Sequence, residues 1–447
     1  MPALMRKDAG LAAVLTLAGA VYACAPADEA SVEADSETAQ TEYRAPAKED
    51  TTAVASHYAD LALAMYEDSL FKARDLDAAL DALIASPDEA ALGAARQAWL
   101  DARVPYQQTE TLRFGNAIVD DWEGRVNAWP LDEGLIDYVA ADYGETALEN
   151  ELYTLNVIAN AEIAINGAPV DASEITPALL SQTLHEAEDV EANVATGYHA
   201  IEFLLWGQDL NGTGPGAGER PATDFSMDTC TGGNCDRRIA YLQAASTLLL
   251  SDLEEMVANW RADGAARAAV MEQDGKAGLA AMLTGMGSLS YGELAGERMK
   301  LGLLLRDPEE EHDCFSDNTH NSHYYNQRGI MNVYMGRYER IDGTVVEGRS
   351  LSELAAQIAP DIDGDLLARL AETDAAMSAL RTRAEQVERY DQMIGEGNPE
   401  GAAVVQSAID ALIAQTRPIE RLIAAFDLGD IQLEGSDSLD NPGAVFE

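Results

Sequence analysis

Apolar residues along most of this chain recur at intervals of three and four, the spacing that places them on one face of an α-helix. The first clear run contains Tyr58, Leu61, Met65 and Tyr66. Sustained alternation of apolar and polar residues, which is typical of strands, is nearly absent. The pattern therefore predicts an all-α fold, with helices over about residues 58–83, 89–113, 145–165, 177–205, 237–262, 278–305, 351–358, 366–393 and 402–426.

One glycine-rich segment interrupts this helical pattern more strongly than any other. It runs from Asn211 to Gly218 and continues into the loop between Cys230 and Cys235, and such composition marks a break between helices. We therefore predict two helical-bundle domains, at residues 53–215 and 216–447. Their similar size fits a duplicated bundle, although the sequence shows no repeat of fixed period.

The first 23 residues have the pattern of a signal peptide. Arg6 and Lys7 precede an apolar run from Ala9 to Val21, which is too short to span a bilayer, and no later stretch is long enough to do so. Val21 to Cys24 is similar to a bacterial lipobox, so Cys24 is a predicted lipidation site, with simple secretion as the alternative.

Residues 24–52 follow this cleavage region and have no periodic apolar face. They are rich in Ala, Glu, Asp, Ser and Thr, a composition that favours a flexible tether. The sequence therefore predicts an exported protein that lies in the periplasm or is lipid-anchored at the periplasmic face of the outer membrane, and that touches the membrane only through that anchor.

The charge of the chain excludes one class of partner. It has 78 acidic residues against 29 Lys and Arg, a formal net charge of −49, so its field repels the phosphate backbone of nucleic acids. Hydrophobic residues still make up 47 % of the chain, which indicates a folded globular protein with an acidic surface.

Two cysteines are predicted to form a disulfide. Cys230 and Cys235 flank a flexible Thr-Gly-Gly-Asn segment, and an exported protein meets an oxidising environment. Cys314 has no evident partner, so it is either a small buried apolar residue or a competitor for one of the loop cysteines.

The most informative segment for chemistry runs from Gly197 to Asp209. His199 and Glu202 are three residues apart and share one face of a helix, and the apolar residues around them predict an interior helix. An imidazole and a carboxylate in that arrangement can bind a transition metal. The alternative is a hydrogen-bonded pair within the core.

Two further acids are weaker candidates for metal ligands. The predicted helix at 89–113 carries a stripe of residues at four- and three-residue spacing that includes Arg103 and Glu110. Glu110 is a ligand candidate if that face turns inward, whereas an outward face would be a ladder of surface ion pairs. Glu133 lies in an aromatic loop that begins at Asn127.

Histidines supply the remaining candidates. His312, His320 and His323 lie among acids within one short segment, which fits either a metal site or an Asx-rich loop that caps helices. His57 is a lone histidine, for which a structural role is the alternative. The run Asp361 to Asp365 is similar to a calcium loop, but the glycine falls at the wrong position, so we interpret it as a turn into a helix.

These segments together resemble one family of bacterial proteins. Gly197-x-His199-x-x-Glu202 fits the Gly-x-His-x-x-Glu motif of imelysin-like proteins, the peptidase M75-like family, within its iron-regulated protein A branch. The motif continues through Trp206-Gly-Gln-Asp209. Further similar segments begin at His57, Trp129, Arg237 and Glu310 and span nearly all of the predicted mature chain.

The resemblance implies an all-helical fold of two bundle-like halves, export to the cell envelope and a link to iron acquisition. It identifies His199 and Glu202 as motif residues; Glu110, Glu133, His57 and His320 are candidates by their chemistry. The leading hypothesis is a metal-binding protein for iron uptake that binds iron or zinc, as a free ion or an iron chelate, and passes it to an envelope transport protein. The alternatives are a zinc-dependent metallopeptidase and a helical protein-interaction module.

Overall fold

The fold is all-α, as the spacing of apolar residues predicts. The structure is a computed structural model that describes residues 43–144 and 150–446. Its α-helices, in chain order, are α1 (Lys48–Ala85), α2 (Glu89–Gln107), α3 (Ala117–Asn127), the single turn α4 (Pro177–Leu179), α5 (Gly197–Trp206), α6 (Cys235–Trp260), α7 (Ala265–Val270), α8 (Lys276–Ser288), α9 (Leu301–Leu305), α10 (Thr319–Met335), α11 (Leu351–Ile358), α12 (Pro360–Gln386), α13 (Tyr390–Ile394), α14 (Pro399–Ala425) and α15 (Asp437–Asp440).

Shorter helical segments and two antiparallel hairpins connect these helices. The hairpins pair β1 (Glu162–Ile165) with β2 (Ala168–Asp171) and β3 (Arg337–Glu339) with β4 (Val345–Glu347). Two π-helical segments occupy Leu180–Leu184 and Leu289–Lys300, and 3₁₀ turns occupy Glu110–Leu112, Glu133–Leu135, Ala187–Asp189, Ala222–Phe225, Glu272–Gly275, Pro308–Glu310 and Ala444–Phe446.

The core forms where the apolar faces of the long helices meet. Helix α1 packs against α2, α6 and α8, whereas α12 packs against α14, α10 and α11. Contacts of α2 with α10 and of α8 with α14 join these two sets. Several helices begin at side-chain caps that satisfy their first free amide groups; Asp88 accepts a hydrogen bond from the Ala91 amide at α2, and Ser350 and Glu353 form a capping box at α11.

The predicted domain boundary and the predicted N-terminal segments remain predictions. Helix α1 contacts α6 and α8, which lie beyond the boundary at residues 215 and 216. Helix α1 begins at Lys48, within the predicted tether at 24–52, while the signal peptide and Cys24 lie outside the described residues. Among the described helices, none is both long and apolar enough to cross a bilayer.

The predicted helix over residues 145–165 is wrong in its C-terminal part. Residues 150–161 form turns, and Glu162–Ile165 is strand β1. Asn166 and Gly167 connect β1 to β2 with positive φ values of 51° and 70°, the conformation that an Asn-Gly pair supplies to a two-residue hairpin turn. The alternation of Ile163 and Ile165 before that pair was the signal for a hairpin.

The predicted helix boundaries also differ from the structure at two other segments. The helix predicted over 177–205 is interrupted at Glu186, Glu188 and Asp189, whose φ values are positive, so the motif helix α5 begins at Gly197. The segment after Asn318, for which a capping loop was one alternative, forms helix α10. Its inner face carries histidines and amides, which hides the apolar periodicity.

The stripe on α2 turns inward. Arg103 and Glu110 are 1 % and 2 % exposed, and Trp99 and Tyr106 are fully buried, so the interpretation as a surface ladder is wrong for these residues. The helix ends at Gln107, and Glu110 lies in the following 3₁₀ turn. This face places a guanidinium group in the interior, where it needs acidic partners.

Gly197 fixes the position of the motif helix α5. Its φ is +79°, and a Cβ atom at this position would lie 2.4 Å from the Val126 carbonyl oxygen at the end of α3. Only glycine adopts this conformation without strain and allows such a close approach. The first residue of the Gly-x-His-x-x-Glu motif therefore has a packing role of its own.

We predict that Gly197→Ala lowers the free energy of unfolding by about 2 kcal/mol or more, since it combines backbone strain with a steric clash. Gly93→Ala is the matched control, because Gly93 lies in α2 with open space around its Cα; it should stabilise the protein by about 0.5–1 kcal/mol. Urea denaturation measures both. Equal midpoints for Gly197→Ala and the unmodified protein would contradict this account.

Candidate metal centre

Helix α5 places the two motif side chains in the interior. His199 and Glu202 are 1 % and 0 % exposed, and Nδ1 of His199 lies 2.9 Å from Oε2 of Glu202 in a hydrogen bond. Because every residue of this helix is buried, the pair is surrounded by protein on all sides. The three-residue spacing thus brings both groups onto one face, as the sequence predicts.

The remaining atoms of this pair have different environments. Oε1 of Glu202 accepts hydrogen bonds from the amide (3.0 Å) and the hydroxyl (2.6 Å) of Ser316. Nε2 of His199 is buried and has no hydrogen-bond partner among the described residues. The carboxylate is therefore fully engaged, whereas one donor atom of the imidazole faces the interior without a partner.

Two further potential ligands come from the loop that precedes α10. Ligand atoms of His199, His312 and Asp313 all lie within 4.8 Å of one another, and the two imidazole rings meet edge to face with centroids 4.8 Å apart. Nδ1 of His312 lies 3.0 Å from Oδ1 of Asp313. Two imidazoles and a carboxylate thus converge, and we call these three residues the metal centre.

Arg103 of α2 supplies positive charge to the metal centre. Its Nη2 donates to Oδ1 of Asp313 at 2.9 Å, and its Nη1 donates to the side chain of Asn127 at 2.5 Å. Asn318 and Ser322 donate to Oδ2 of Asp313. Both oxygens of Asp313 are therefore engaged, and an arriving cation would compete with Arg103 for this carboxylate.

Burial and charge control the protonation of these groups. Burial, aided by Arg103, lowers the pKa of His199 to about 3, and burial holds the pKa of His312 well below its ordinary value. Burial opposes the ionisation of Asp313, but Arg103 and the His312 hydrogen bond outweigh it and hold that pKa well below its usual range. Both imidazoles are therefore neutral at pH 7, the form that binds metals.

The pKa of Glu202 is shifted in the opposite direction to that of Asp313. Burial, followed by the charge of Asp313, raises its pKa well above the ordinary value, and the bonds from Ser316 partly offset this. A cation bound nearby would favour the ionised form of Glu202, as the charge of Arg103 already does in part.

A cavity of about 200 Å³ lies beside the metal centre. Arg103, Asn318 and Ser322, which all hold Asp313, contribute to its lining, together with Tyr325 and Arg381. The groups that fix Asp313 are therefore also the groups that border open space.

The structure places the four weaker candidates in other surroundings. Glu110 pairs with Arg298 at 2.8 Å and contacts Asn127 at 3.4 Å, which connects it to Arg103 through one amide. Glu133 accepts a long hydrogen bond of 3.4 Å from Gln208, and burial raises its pKa.

The two histidines among these candidates have backbone or amide partners. Nε2 of His57 lies 2.8 Å from the Gly336 carbonyl oxygen, and Nε2 of His320 lies 3.1 Å from the Asn321 side chain. The potential metal-ligand groups found among the described residues include none of Glu110, Glu133, His57 and His320. Sequence reasoning had grouped His312 with its neighbouring histidines; its actual partners, His199 and Asp313, come from tertiary packing and from the adjacent position.

The cysteines are arranged as follows. Cys230 and Cys235 form a disulfide with their Cα atoms 5.9 Å apart. Cys314 is a free thiol that adjoins Asp313, and burial raises its pKa well above the ordinary value. It therefore remains a neutral thiol at pH 7, which favours the interpretation as a small apolar residue.

Comparison with known proteins gives consistent results. A family model described as Imelysin (Peptidase_M75) matches residues 62–419. Iron-regulated protein A of Synechococcus elongatus is 26 % identical over 361 residues, which cover 78 % of this chain and 79 % of that protein. A crystal structure from Parabacteroides distasonis, of a candidate iron-regulated protein A precursor, matches with a TM-score of 0.61 and 20 % identity over 86 % of this chain and 98 % of the other.

The burial of His323 should make the stability of the folded protein sensitive to acid. It is fully buried on α10, and neither ring nitrogen has a hydrogen-bond partner among the described residues. Burial, aided by Arg298, lowers its pKa to about 3. The unfolded chain, in which histidine has a pKa of about 6.5, therefore takes up a proton that the folded chain does not.

This difference predicts that the stability supplied by neutral His323 is complete above about pH 6.5 and is lost as the pH falls towards 3. In His323→Leu, the pH dependence of the unfolding free energy between pH 6 and 4 should be shallower by up to about 1.4 kcal/mol per pH unit. His323→Phe, which keeps a ring against Tyr390, should show the same shallower pH dependence. Urea denaturation across this range measures the slopes, and parallel profiles for all three proteins would contradict the assignment.

Proposed function

The chain belongs to the imelysin family, and from that premise we propose that it is an exported metal-binding protein of the cell envelope that serves iron uptake. The name of its Synechococcus relative, iron-regulated protein A, supports the link to iron. The observation that carries the proposal of metal binding is the buried Nε2 atom of His199, which has no hydrogen-bond partner among residues 43–144 and 150–446.

The donor atoms of the metal centre fit a transition metal. His199 and His312 supply neutral imidazoles and Asp313 a carboxylate, within 4.8 Å of one another. This combination suits iron or zinc ahead of calcium or magnesium. Metal-binding histidines are commonly held by a carboxylate on the other ring nitrogen, and Glu202 holds Nδ1 of His199 in that way.

The geometry therefore favours an orienting role for Glu202, while its assignment as a direct ligand stays a prediction. Ser316 holds the second oxygen of Glu202, so the carboxylate fixes both the rotation of the His199 ring and the loop that carries His312. Arg103 balances the charge of Asp313, and a bound cation would compete with Arg103 for that carboxylate.

The proposed location follows from the N-terminal sequence. Residues 1–23 have the pattern of a signal peptide and Cys24 lies in a lipobox-like context, which supports a lipoprotein on the periplasmic face of the outer membrane or a soluble periplasmic protein. An envelope iron-transport protein is the proposed recipient of the metal.

A zinc peptidase is the enzymatic alternative, because the matching family model carries a peptidase designation. Bound zinc would polarise a peptide carbonyl and activate water. Such chemistry needs a general base that is free to take a proton from that water, whereas both oxygens of Glu202 are engaged by His199 and Ser316. This engagement favours binding over hydrolysis.

We predict that protein purified without chelator and then loaded with iron or zinc holds about one equivalent of metal, and that His199→Ala and His312→Ala each lose it. Glu202→Gln should retain metal with about 10- to 100-fold lower affinity, the usual cost of removing an orienting partner. His57→Ala is the control, because His57 bonds to the Gly336 carbonyl oxygen at the end of α10. Inductively coupled plasma mass spectrometry and competition titration measure these quantities.

Equal metal content in all four variants, or no metal in any protein after loading, would overturn the proposed centre. The latter result would leave the interaction module as the remaining hypothesis. Cleavage of peptide substrates by the loaded protein, abolished in Glu202→Gln with metal still bound, would instead establish the peptidase.

Arg103 provides an independent test, because its substitution is expected to raise the metal affinity. Arg103→Met removes the positive charge that competes for Asp313, so we predict metal affinity at least about tenfold higher than in the unmodified protein. Without metal, the variant should lose about 3–5 kcal/mol of stability, because Asp313 becomes an unpaired buried charge. Thermal unfolding with and without zinc measures both effects, and weaker zinc binding in the folded variant would contradict the role of Arg103.

A further inference from the structure

A second group of side chains with ligand oxygens lies outside the metal centre. Oxygen atoms of Asp209, Asp317 and Asp391 lie within 4.8 Å of one another. Asp209 follows α5, Asp317 precedes α10 with a φ of +56°, and Asp391 lies in the first turn of α13. Three separate parts of the chain therefore bring these carboxylates together, and we call them the acidic group.

A fourth carboxylate provides an observation independent of that convergence. Glu311 is 1 % exposed, and neither of its oxygens has a hydrogen-bond partner among the described residues. The charges of Asp391, Asp317 and Asp209 all act on Glu311, so it lies near the acidic group. Asp391 is itself 2 % exposed, and neither of its oxygens has a hydrogen-bond partner among the described residues. A buried carboxylate without donors is unfavourable unless a cation or a proton compensates it.

The protein supplies little compensation of its own. Arg389 is the positively charged group that acts on Asp317, and within the described part of the chain no ion pair of 4.0 Å or less joins Arg389 to an acid. The backbone amide and side chain of Asn211 donate to Oδ1 of Asp209. Arg389 is thus the one positive charge among the principal charges that act on these four acids.

We propose that Asp209, Asp317 and Asp391 bind a calcium ion, with Glu311 as a fourth carboxylate nearby. Calcium binds oxygen ligands at about 2.3–2.6 Å, so two ligands on opposite sides of the ion are about 4.6–5.2 Å apart. Oxygens that all lie within 4.8 Å of one another can contact one calcium ion, which accepts a flexible ligand geometry, whereas magnesium demands a near-ideal octahedron and usually keeps several waters.

The chemistry of the ligands separates this site from the proposed metal centre. Carboxylate oxygens suit calcium, magnesium and manganese, whereas the imidazoles of His199 and His312 suit iron and zinc. Because the two sites share no ligand, calcium binding here is independent of whether the proposed function is correct.

Mutual repulsion within the acidic group is consistent with a bound cation. Burial, followed by the charge of Asp317, raises the pKa of Asp391 to about 7, and burial, followed by Asp209, raises that of Asp317 to about 6. A divalent ion would relieve this repulsion and release protons.

The test is titration of chelator-treated protein with calcium chloride by calorimetry, at about pH 7.5 and 0.15 M salt so that the acidic surface is screened. We expect one saturable site, weakened at least about tenfold in Asp317→Asn and in Asp391→Asn, since affinity depends on the number of charged ligands. Terbium, which replaces calcium, should show luminescence sensitised by Tyr390, and calcium should displace it in the unmodified protein.

Two controls separate this site from other acids and from the metal centre. Asp361→Asn/Asp365→Asn alters a run that is similar to a calcium loop but lies in α12 and pairs with Arg421, so calcium affinity should not change. His199→Ala should also retain calcium. Far-UV circular dichroism establishes that each variant is folded.

Either of two results would overturn the proposal: the absence of saturable binding below about 10 mM calcium, or affinities in Asp317→Asn and Asp391→Asn within about twofold of the unmodified protein. In both cases the acidic group would hold protons in place of a cation. If His199→Ala loses iron or zinc but retains calcium, the two sites bind their ions independently.

Discussion

The buried ion pair between Arg103 and Asp313 is the interaction on which the centre of this structure depends. It joins helix α2 to the loop before α10, and Asn127 extends it to α3. Neither side chain is more than 1 % exposed, so each charge relies on the other, and loss of one partner costs far more than a surface ion pair is worth. Hydrogen bonds from Asn318 and Ser322 to Asp313 extend this fixed arrangement into α10.

The loop that this ion pair fixes carries residues of both proposed sites. His312 and Asp313 belong to the metal centre, whereas Asp317 belongs to the acidic group and Glu311 lies near it. Ser316, between them, binds Glu202 of the motif helix. The Gly-x-His-x-x-Glu motif thus has three physical roles: Gly197 permits close packing, His199 presents a free nitrogen, and Glu202 holds both that ring and the loop. Such precision is what a preorganised binding site requires.

The sequence predicted what depends on local spacing and missed what depends on tertiary packing. Periodicity gave the all-α class, the resemblance to the imelysin family was confirmed, and three-residue spacing placed His199 beside Glu202. Asp313 was not singled out, because nothing in the sequence shows that Arg103 points inward or which acid it meets. Helix α10 was missed because its buried face is polar, and the hairpin at Glu162–Asp171 was missed although Asn166-Gly167 is a hairpin signal.

The central claim is that a transition metal binds at His199, His312 and Asp313. Extended X-ray absorption fine structure of the iron- or zinc-loaded protein tests it most directly, because imidazole rings give a characteristic outer-shell signal. The account predicts two imidazole nitrogens at about 2.0–2.1 Å together with carboxylate oxygen, and one imidazole fewer in His312→Ala. A first shell of oxygen alone, with no imidazole signal in the loaded protein, would contradict it.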